Sequence, residues 1–288
     1  MINVLVTGGN GQLACCIKDV EVKYENLNVI YTDSQALDIC DINQVQSFFK
    51  SHDIDYCVNC AAYTAVDKAE EEKELAFKVN AEGAKNLALA CKEHHVVLIH
   101  MSTDFVFDGT KTEPYTEEDQ SNAISVYGAS KLQGEIEIQN ILEEHFIIRT
   151  SWLYSEHGHN FMKTMLRLAE IRDEISVVSD QMGTPTYAGD LAKIILEIII
   201  EKSKDFGIYH YSNEGGSVSW FGFAKAIFEQ TRIDIKVNAI TTEQFPTKAK
   251  RPAYSVLNKE KIRSKLNIEI PDWDLSLEKA LSKKIRLI

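Results

Sequence analysis

Positive charge is scarce in this chain: 31 lysines and arginines face 43 aspartates and glutamates, a formal net charge of −12. A surface of that sign repels phosphate polymers and anionic lipids, so nucleic acid and membrane are poor partners. Any phosphate-bearing ligand must be held by local groups. Long apolar runs are absent too; the longest, Ile194 to Ile200, contains Glu197 and is too short to span a bilayer. The opening residues lack a basic segment, an apolar core and a small-residue cleavage site, so no secretory leader is expected. Cysteine is missing after Cys91, and the six present (Cys15, Cys16, Cys40, Cys57, Cys60 and Cys91) are not spread like a disulfide framework. Cys57 and Cys60 have a redox-like spacing, but no second pair or histidine stands at ligand spacing, and their apolar setting reads as a strand end. These absences point to the cytoplasm.

The 288 residues, 44% hydrophobic and 26% charged, suffice for a sizeable core in one large domain or two small ones. Through residue 150, short apolar runs alternate with helical patterns. Strands are predicted at 2–7, 28–32, 56–60, 96–101 and 146–149, and helices at 11–20, 42–50, 72–94 and 126–143. This alternation predicts an α/β fold, a doubly wound parallel sheet of the Rossmann type covered on both faces. The pattern then loosens into helices at 160–171, 189–202 and 219–231, strands at 175–178 and 208–211, and a proline-bearing segment at 245–254. Residues 1–150 are therefore expected to form a dinucleotide-binding domain. Residues 151–288 are expected to form mainly a smaller substrate domain, with part of the chain free to rejoin the main sheet. No repeat or low-complexity linker interrupts them.

Three motifs carry chemistry. Thr7-Gly8-Gly9-Asn10-Gly11-Gln12-Leu13-Ala14 follows the first strand and opens a helix. Glycine allows the tight turn and lets backbone N–H groups approach a pyrophosphate at the positive helix end. Asp33 ends the second strand, where a carboxylate can accept from the adenosine ribose hydroxyls. No lysine or arginine lies between Tyr24 and Phe49 to neutralise a 2′-phosphate. That favours NADH, with NADPH as the alternative.

The second motif, Tyr127-Gly128-Ala129-Ser130-Lys131, places a phenol and an ammonium on one helical face. Carbonyl reduction needs a proton as hydride arrives. A neighbouring lysine would lower the phenol's pKa and could hold the nicotinamide ribose. The third, Ser102-Thr103-Asp104-Phe105, is read as lying just past the fourth strand, where ligands bind such sheets. Thr103 can bond the substrate oxygen beside Tyr127, and Asp104 can accept from a hydroxyl.

In order and spacing these motifs resemble the extended short-chain dehydrogenase/reductase family. Asn59-Cys60-Ala61-Ala62-Tyr63-Thr64-Ala65-Val66-Asp67-Lys68-Ala69-Glu70, Arg149-Thr150-Ser151-Trp152-Leu153-Tyr154, Asn160-Phe161-Met162-Lys163-Thr164-Met165, Asp180-Gln181-Met182-Gly183-Thr184-Pro185-Thr186 and Lys250-Arg251-Pro252-Ala253-Tyr254-Ser255 are similar to segments of the dTDP-4-dehydrorhamnose reductases. The resemblance spans nearly the whole chain. It implies reduction of dTDP-4-dehydro-β-L-rhamnose to dTDP-L-rhamnose by NAD(P)H, a sugar nucleotide being the partner. It implies that Gly11, Gln12 and Leu13 touch the pyrophosphate and that Asp33, Asp38 and Ile39 lie on the adenosine side. Ala61, Ala62, Tyr63 and Thr64 would line the cofactor cleft. Thr103 and Asp104 would meet the sugar, and Trp152 would pack on it. Arg251, its backbone held extended by Pro252, is the candidate grip for the diphosphate.

The chain departs from the family it resembles in three places. Ala14 replaces the last glycine of the turn, and Phe105 stands where many members have tyrosine. Some members bind Mg²⁺ across a dimer through a glutamate of the first helix. Cys16 holds that place, so neither the metal nor that dimer is expected, and a monomer or weak homodimer is. Three other readings compete. Nucleotide-sugar dehydratases need an acidic residue after Asp104, where Phe105 stands. Epimerases share the tyrosine and lysine. The regulatory subunit of methionine adenosyltransferase keeps a cofactor fold without catalysis, but the intact Thr103, Tyr127 and Lys131 favour an enzyme.

Overall fold

A computed structural model describes residues 1–286; the last two positions of the expected second domain lie outside the described residues. Five strands, β1 (Ile2–Thr7), β2 (Leu27–Thr32), β3 (Tyr56–Asn59), β4 (Val97–Thr103) and β5 (His145–Thr150), pair in parallel in the order 5-4-3-1-2. The chain switches direction at β1, the crevice where ligands bind doubly wound sheets. A sixth strand from the second half, Gly207–Tyr211, pairs in parallel with β5, Ile208 opposite Ile147.

Side chains alternate across a strand, so β1 serves two cores. Val4 and Val6 pack with Ile17 of the helix Gln12–Glu21 and with Leu191 and Ile195 of the helix Ala188–Ile200. Leu5 faces the other side, among Cys57, Leu87, Ala88 and Cys91. The second half thus supplies a strand and a buried helix to the first core. A separate core joins the helices Phe161–Ala169, Trp220–Thr231 and Trp273–Arg286 to a parallel strand pair, Glu174–Val178 with Lys236–Ile240. The strand Lys236–Ile240 and the helices Glu260–Leu266 and Trp273–Arg286 lie outside the predicted elements.

Two further differences shape the cleft. The helix predicted over 72–94 is Lys73–Phe77, a π-helical turn at Lys78–Glu82, then Gly83–His94. The wide turn carries Asn80, whose Oδ1 accepts from the Tyr63 N–H at 2.9 Å while its Nδ2 donates to the Tyr63 carbonyl and to Ser130 Oγ. Such turns relax the regular helical ladder and let one side chain reach elsewhere. β4, for its part, runs two residues beyond the predicted end. Ser102 and Thr103 stay in register with Arg149 and Thr150 of β5, so Thr103 closes the strand.

Candidate active site

Gly8, at φ +66°, turns the chain as it leaves β1, and a Cβ there would lie 2.7 Å from the Ala61 nitrogen. Only glycine lets that turn sit against the exit of β3. The following helix starts at Gln12 with no side chain capping it. Its first amides and dipole are left without a capping side-chain acceptor, the arrangement pyrophosphate binding requires. The adjoining cavity, about 720 Å³, is lined by Gly11, Gln12, Leu13, Ala62, Thr64, Thr103, Asp104, Tyr127, Lys131, Trp152 and Arg251, among others.

The remaining expected residues stand behind or beside that wall. Gly8 and Ala61 form its backing through their close approach. Asp33 reaches the glycine turn: its Oδ2 accepts from Asn10 Nδ2 at 3.0 Å, and its Oδ1 accepts from the amides of Gln35 and Ala36. Those bonds, the Ala36 amide first, hold its carboxyl below the ordinary value. Asp38 Oδ1 accepts from the Cys40 amide. Ile39 is a core side chain against Gly83, and its carbonyl accepts from Asn86 Nδ2. Tyr63 is clasped by Asn80, and its hydroxyl donates to Glu72 at 2.9 Å.

Tyr127 and Lys131 both face the cavity from the helix Val126–Ile141, which Ser125 caps by accepting from the Gly128 amide. At Gly128 a Cβ would fall 2.1 Å from the Phe105 carbonyl oxygen, so a glycine there lets the helix press onto the segment after β4. The Phe105 ring meets the Tyr127 ring edge-on at 5.6 Å. Thr103 Oγ1 donates to Asp104 Oδ1 at 3.1 Å and accepts from the Phe105 amide. Asp104 is buried and its Oδ2 has no partner. Burial pushes its carboxyl up to about 6, against a partial offset from Ser255 and Thr103.

The electrostatics of the phenol differ from the sequence expectation. Burial pushes Tyr127 up to about 12; the bond with Thr103 pulls it down and the Asp104 charge pushes it up further. Lys131 does not lower it here, because the ammonium is turned elsewhere: Nζ lies 3.1 Å from His100 Nε2. Burial also brings Lys131 down to about 8.

A second cavity of about 440 Å³ adjoins the first, sharing Phe105, Trp152, Phe161, Trp220 and Arg251 with it. Trp152, at φ +47°, stacks on Trp220 with ring centroids 3.5 Å apart. Beyond them the second cavity is lined largely by Met165, Leu168, Ile175, Val177 and Pro252. Arg251, the cation on the shared wall, is bound by Asp67 at 2.6 Å. Sequence reasoning missed Trp220, Asn80 and His100. Of these only His100 left a trace, as a polar residue inside an apolar strand.

The Mg²⁺ place does not fit that ion. Cys16 Sγ clusters with Glu156 and His157. Burial, then the Glu156 charge, pushes its thiol up to about 12. Magnesium demands hard oxygen ligands, whereas the one carboxylate of the trio already accepts from Tyr187 and pairs with Lys283 at 3.1 Å.

Comparison with known proteins agrees with this architecture. Residues 2–285 match the family model described as the RmlD substrate binding domain. The dTDP-4-dehydrorhamnose reductase of Aggregatibacter actinomycetemcomitans is 41% identical, over 96% of this chain and 98% of that one. The crystal structure of a dTDP-4-dehydrorhamnose reductase from Clostridium acetobutylicum superposes with a TM-score of 0.94 at 44% identity, covering 98% of this chain and 99% of the other. The Bacillus anthracis dTDP-4-dehydrorhamnose reductase, solved in complex with NADP, also gives 0.94, at 41% identity over 98% and 100% of the two chains. Sharing its fold and nearly its full length with them, the chain belongs to the dTDP-4-dehydrorhamnose reductase family.

Proposed function

We propose that this chain reduces the 4-keto group of dTDP-4-dehydro-β-L-rhamnose to the hydroxyl of dTDP-L-rhamnose. The observation that carries the reading is the meeting of Thr103, Tyr127 and Lys131 in one cavity whose wall, Trp152 and Arg251 included, continues into a second, more apolar one. A sugar in the first and a nucleoside in the second would leave the diphosphate near Arg251. When bound, a reduced nicotinamide dinucleotide supplies the hydride to the carbonyl carbon.

The chain's own residues do the rest. The uncapped helix start at Gln12 and Leu13, with Gly11 beside it, holds the pyrophosphate. Asp33, Asp38 and Ile39 lie on the adenosine side, and the 61–64 segment, Ala61 through Thr64, lies along the cleft. Thr103 orients the carbonyl oxygen by a hydrogen bond, and the Tyr127 hydroxyl gives that oxygen its proton. A phenol near 12 is reliably protonated at neutral pH, which suits a proton donor. Asp104 accepts from a sugar hydroxyl through its unpartnered oxygen. Trp152 packs on the sugar ring.

In this reading residues 1–150 carry the cofactor and residues 151–288 mainly the substrate. The enzyme works in the cytoplasm as a monomer or weak homodimer; no helix of the described residues is long and apolar enough to cross a membrane. The deciding experiment follows loss of NADH or NADPH absorbance with dTDP-4-dehydrorhamnose and with other 4-keto sugar nucleotides. Tight cofactor binding without turnover of any of them would replace this reading with that of a non-catalytic binding subunit.

A further inference from the structure

Trp152 is held between two protein surfaces. On one side its indole stacks on that of Trp220, with ring centroids 3.5 Å apart and planes 8° apart. On the other side lies Gly183. A Cβ there would stand 2.5 Å from Trp152 Cε2, with Nε1 at 2.7 Å and Cζ2 at 2.8 Å. Cε2 is bonded to both of those atoms, and an approach in the ring plane would reach them first. The Gly183 backbone therefore sits over a face of the indole. It is the face away from Trp220, because two rings so closely stacked leave no gap for it. Any side chain at position 183 would drive into the ring.

Both sides of this grip belong to one short ladder. Val218 pairs with Gly183 and Ser219 with Met182, antiparallel, and Trp220 follows at once. Ser219 Oγ accepts from the Gly222 amide at 3.1 Å and so caps the helix that Trp220 opens. Trp220 in turn leans on Phe161, centroid to centroid 4.6 Å. The backbone of Trp152 is pinned separately: Ser151 Oγ donates to the Thr184 carbonyl at 2.7 Å, and the Trp152 carbonyl accepts from the Thr186 amide at 3.2 Å. At φ +47° that backbone is left-handed, which a bulky residue keeps only where its surroundings hold it. The same ladder reaches the segment after Arg251, since the Met182 amide donates to the Ala253 carbonyl at 2.8 Å.

We propose that Gly183 and Trp220 are positioning residues for the sugar nucleotide: they grip Trp152 by its two faces and fix the wall shared by the two cavities before a ligand arrives. The proposal rests on the reading of Trp152 as a substrate contact. With its faces covered, Trp152 presents chiefly its rim to the cavities it lines. Gly183 lines neither cavity, so its influence on a ligand passes through Trp152. Trp220 lines both and needs a test that separates direct contact from positioning. An indole already fixed has little rotamer freedom left to lose, which lowers the cost of ordering the complex.

The test reads binding of dTDP-L-rhamnose to the full chain by titration calorimetry. Trp220→Leu should weaken it by roughly two- to tenfold, the worth of an aromatic pair, and Gly183→Ala by at least as much. The dissociation constant of NADPH should not move. In a Trp152→Ala background neither substitution should weaken binding further, because nothing is left to position. The double variant Gly183→Ala/Trp152→Ala also removes the clash, so the comparison survives if Gly183→Ala alone folds poorly. Trp220→Phe, which can still stack, should recover most of the affinity. Without ligand, the stacked indoles should give an exciton couplet in circular dichroism. The chain has only 3 tryptophans, so loss of the couplet in Trp220→Leu identifies the pair. Native affinity in both single variants would overturn the proposal, as would an equal loss with Trp152 already removed. A native chain that binds dTDP-L-rhamnose but reduces no 4-keto sugar would end the proposed activity and leave the positioning role standing.

Discussion

Arg251 and Asp67 clasp each other in a two-point ion pair, Nη2 to Oδ2 at 2.6 Å and Nη1 to Oδ1 at 3.1 Å. The Ala249 amide also donates to Asp67, so a four-residue helix, Val66–Ala69, fastens the 249–252 segment beside the cleft. The guanidinium is thus aimed before any ligand arrives, with donor capacity left over, because it has five N–H groups in a rigid fork. Truncation at Arg251→Ala should raise KM for the sugar nucleotide by about 10- to 100-fold, the scale of charge-assisted hydrogen bonds at 1.5–3 kcal/mol. The dissociation constant of the nicotinamide cofactor, measured by titration calorimetry, should stay as it was. An unaltered sugar-nucleotide KM would mean that the diphosphate is held elsewhere.

Tyr127→Phe keeps the edge-on contact with Phe105 while removing the hydroxyl. Its kcat should fall by roughly 10²–10⁴-fold, the usual worth of a positioned acid. Cofactor affinity and melting temperature should barely change. Equal turnover by mutant and native chains would remove Tyr127 from the proton-donor role.

Asp33 keeps a negative charge beside the glycine turn, because the Ala36 and Gln35 amides hold its carboxyl below the ordinary value. Asp33→Asn preserves an acceptor for those amides and for the loop they close. It should shift the ratio of kcat/KM for NADPH over NADH upward on the order of tenfold, within the range of a charge–charge contact near a protein surface. Steady-state rates with both cofactors measure this, and a ratio that does not move would show that the carboxylate lies too far from the ribose to discriminate.

Asp104 makes a prediction about stability with a definite sign. Its folded pKa, about 6, lies above the ordinary carboxylate value of 3.8, so ionisation opposes folding. The penalty is absent below the ordinary value, grows between the two and is complete above about 6. Two pKa units correspond to about 3 kcal/mol, or several degrees in Tm for a chain of this size. Asp104→Asn should therefore melt above the native chain at pH 7, and the difference should vanish by about pH 4. A gap independent of pH would show that Asp104 is not ionising in a buried setting.

The parts of the site readable in the sequence were those made by neighbours along the chain. The turn from Gly8 to Leu13 follows a clean strand, and Tyr127 and Lys131 stand one helical turn apart, so each was read from its own few residues. The phenol's environment was misjudged from the same spacing, because a shared helical face does not fix where a flexible lysine points. Lys131 turns to His100, from a strand 31 positions earlier. Pairings that depend on tertiary approach left no local mark. Asp67 and Arg251 are 184 positions apart, and Trp220 reaches Trp152, in the bend after β5, from the start of the helix Trp220–Thr231. The π-helical turn at Asn80 was hidden because its flanks are ordinary helix formers, so a single continuous helix fitted the pattern equally well.

The strand Gly207–Tyr211 also carries a consequence for how the protein comes into being. Were synthesis to stop at residue 150, β5 would present an unpaired edge, an invitation to associate with other chains. The face of the Gln12–Glu21 helix that meets Ala188–Ile200 would be bare as well. Residues 1–150 should therefore not fold as an autonomous unit. The last strand of the sheet is made after some two hundred residues have left the ribosome, so closing the sheet waits on the other half of the gene. Fragments ending near residue 150 should aggregate, while a duplicated or permuted chain that supplies Gly207–Tyr211 early should not.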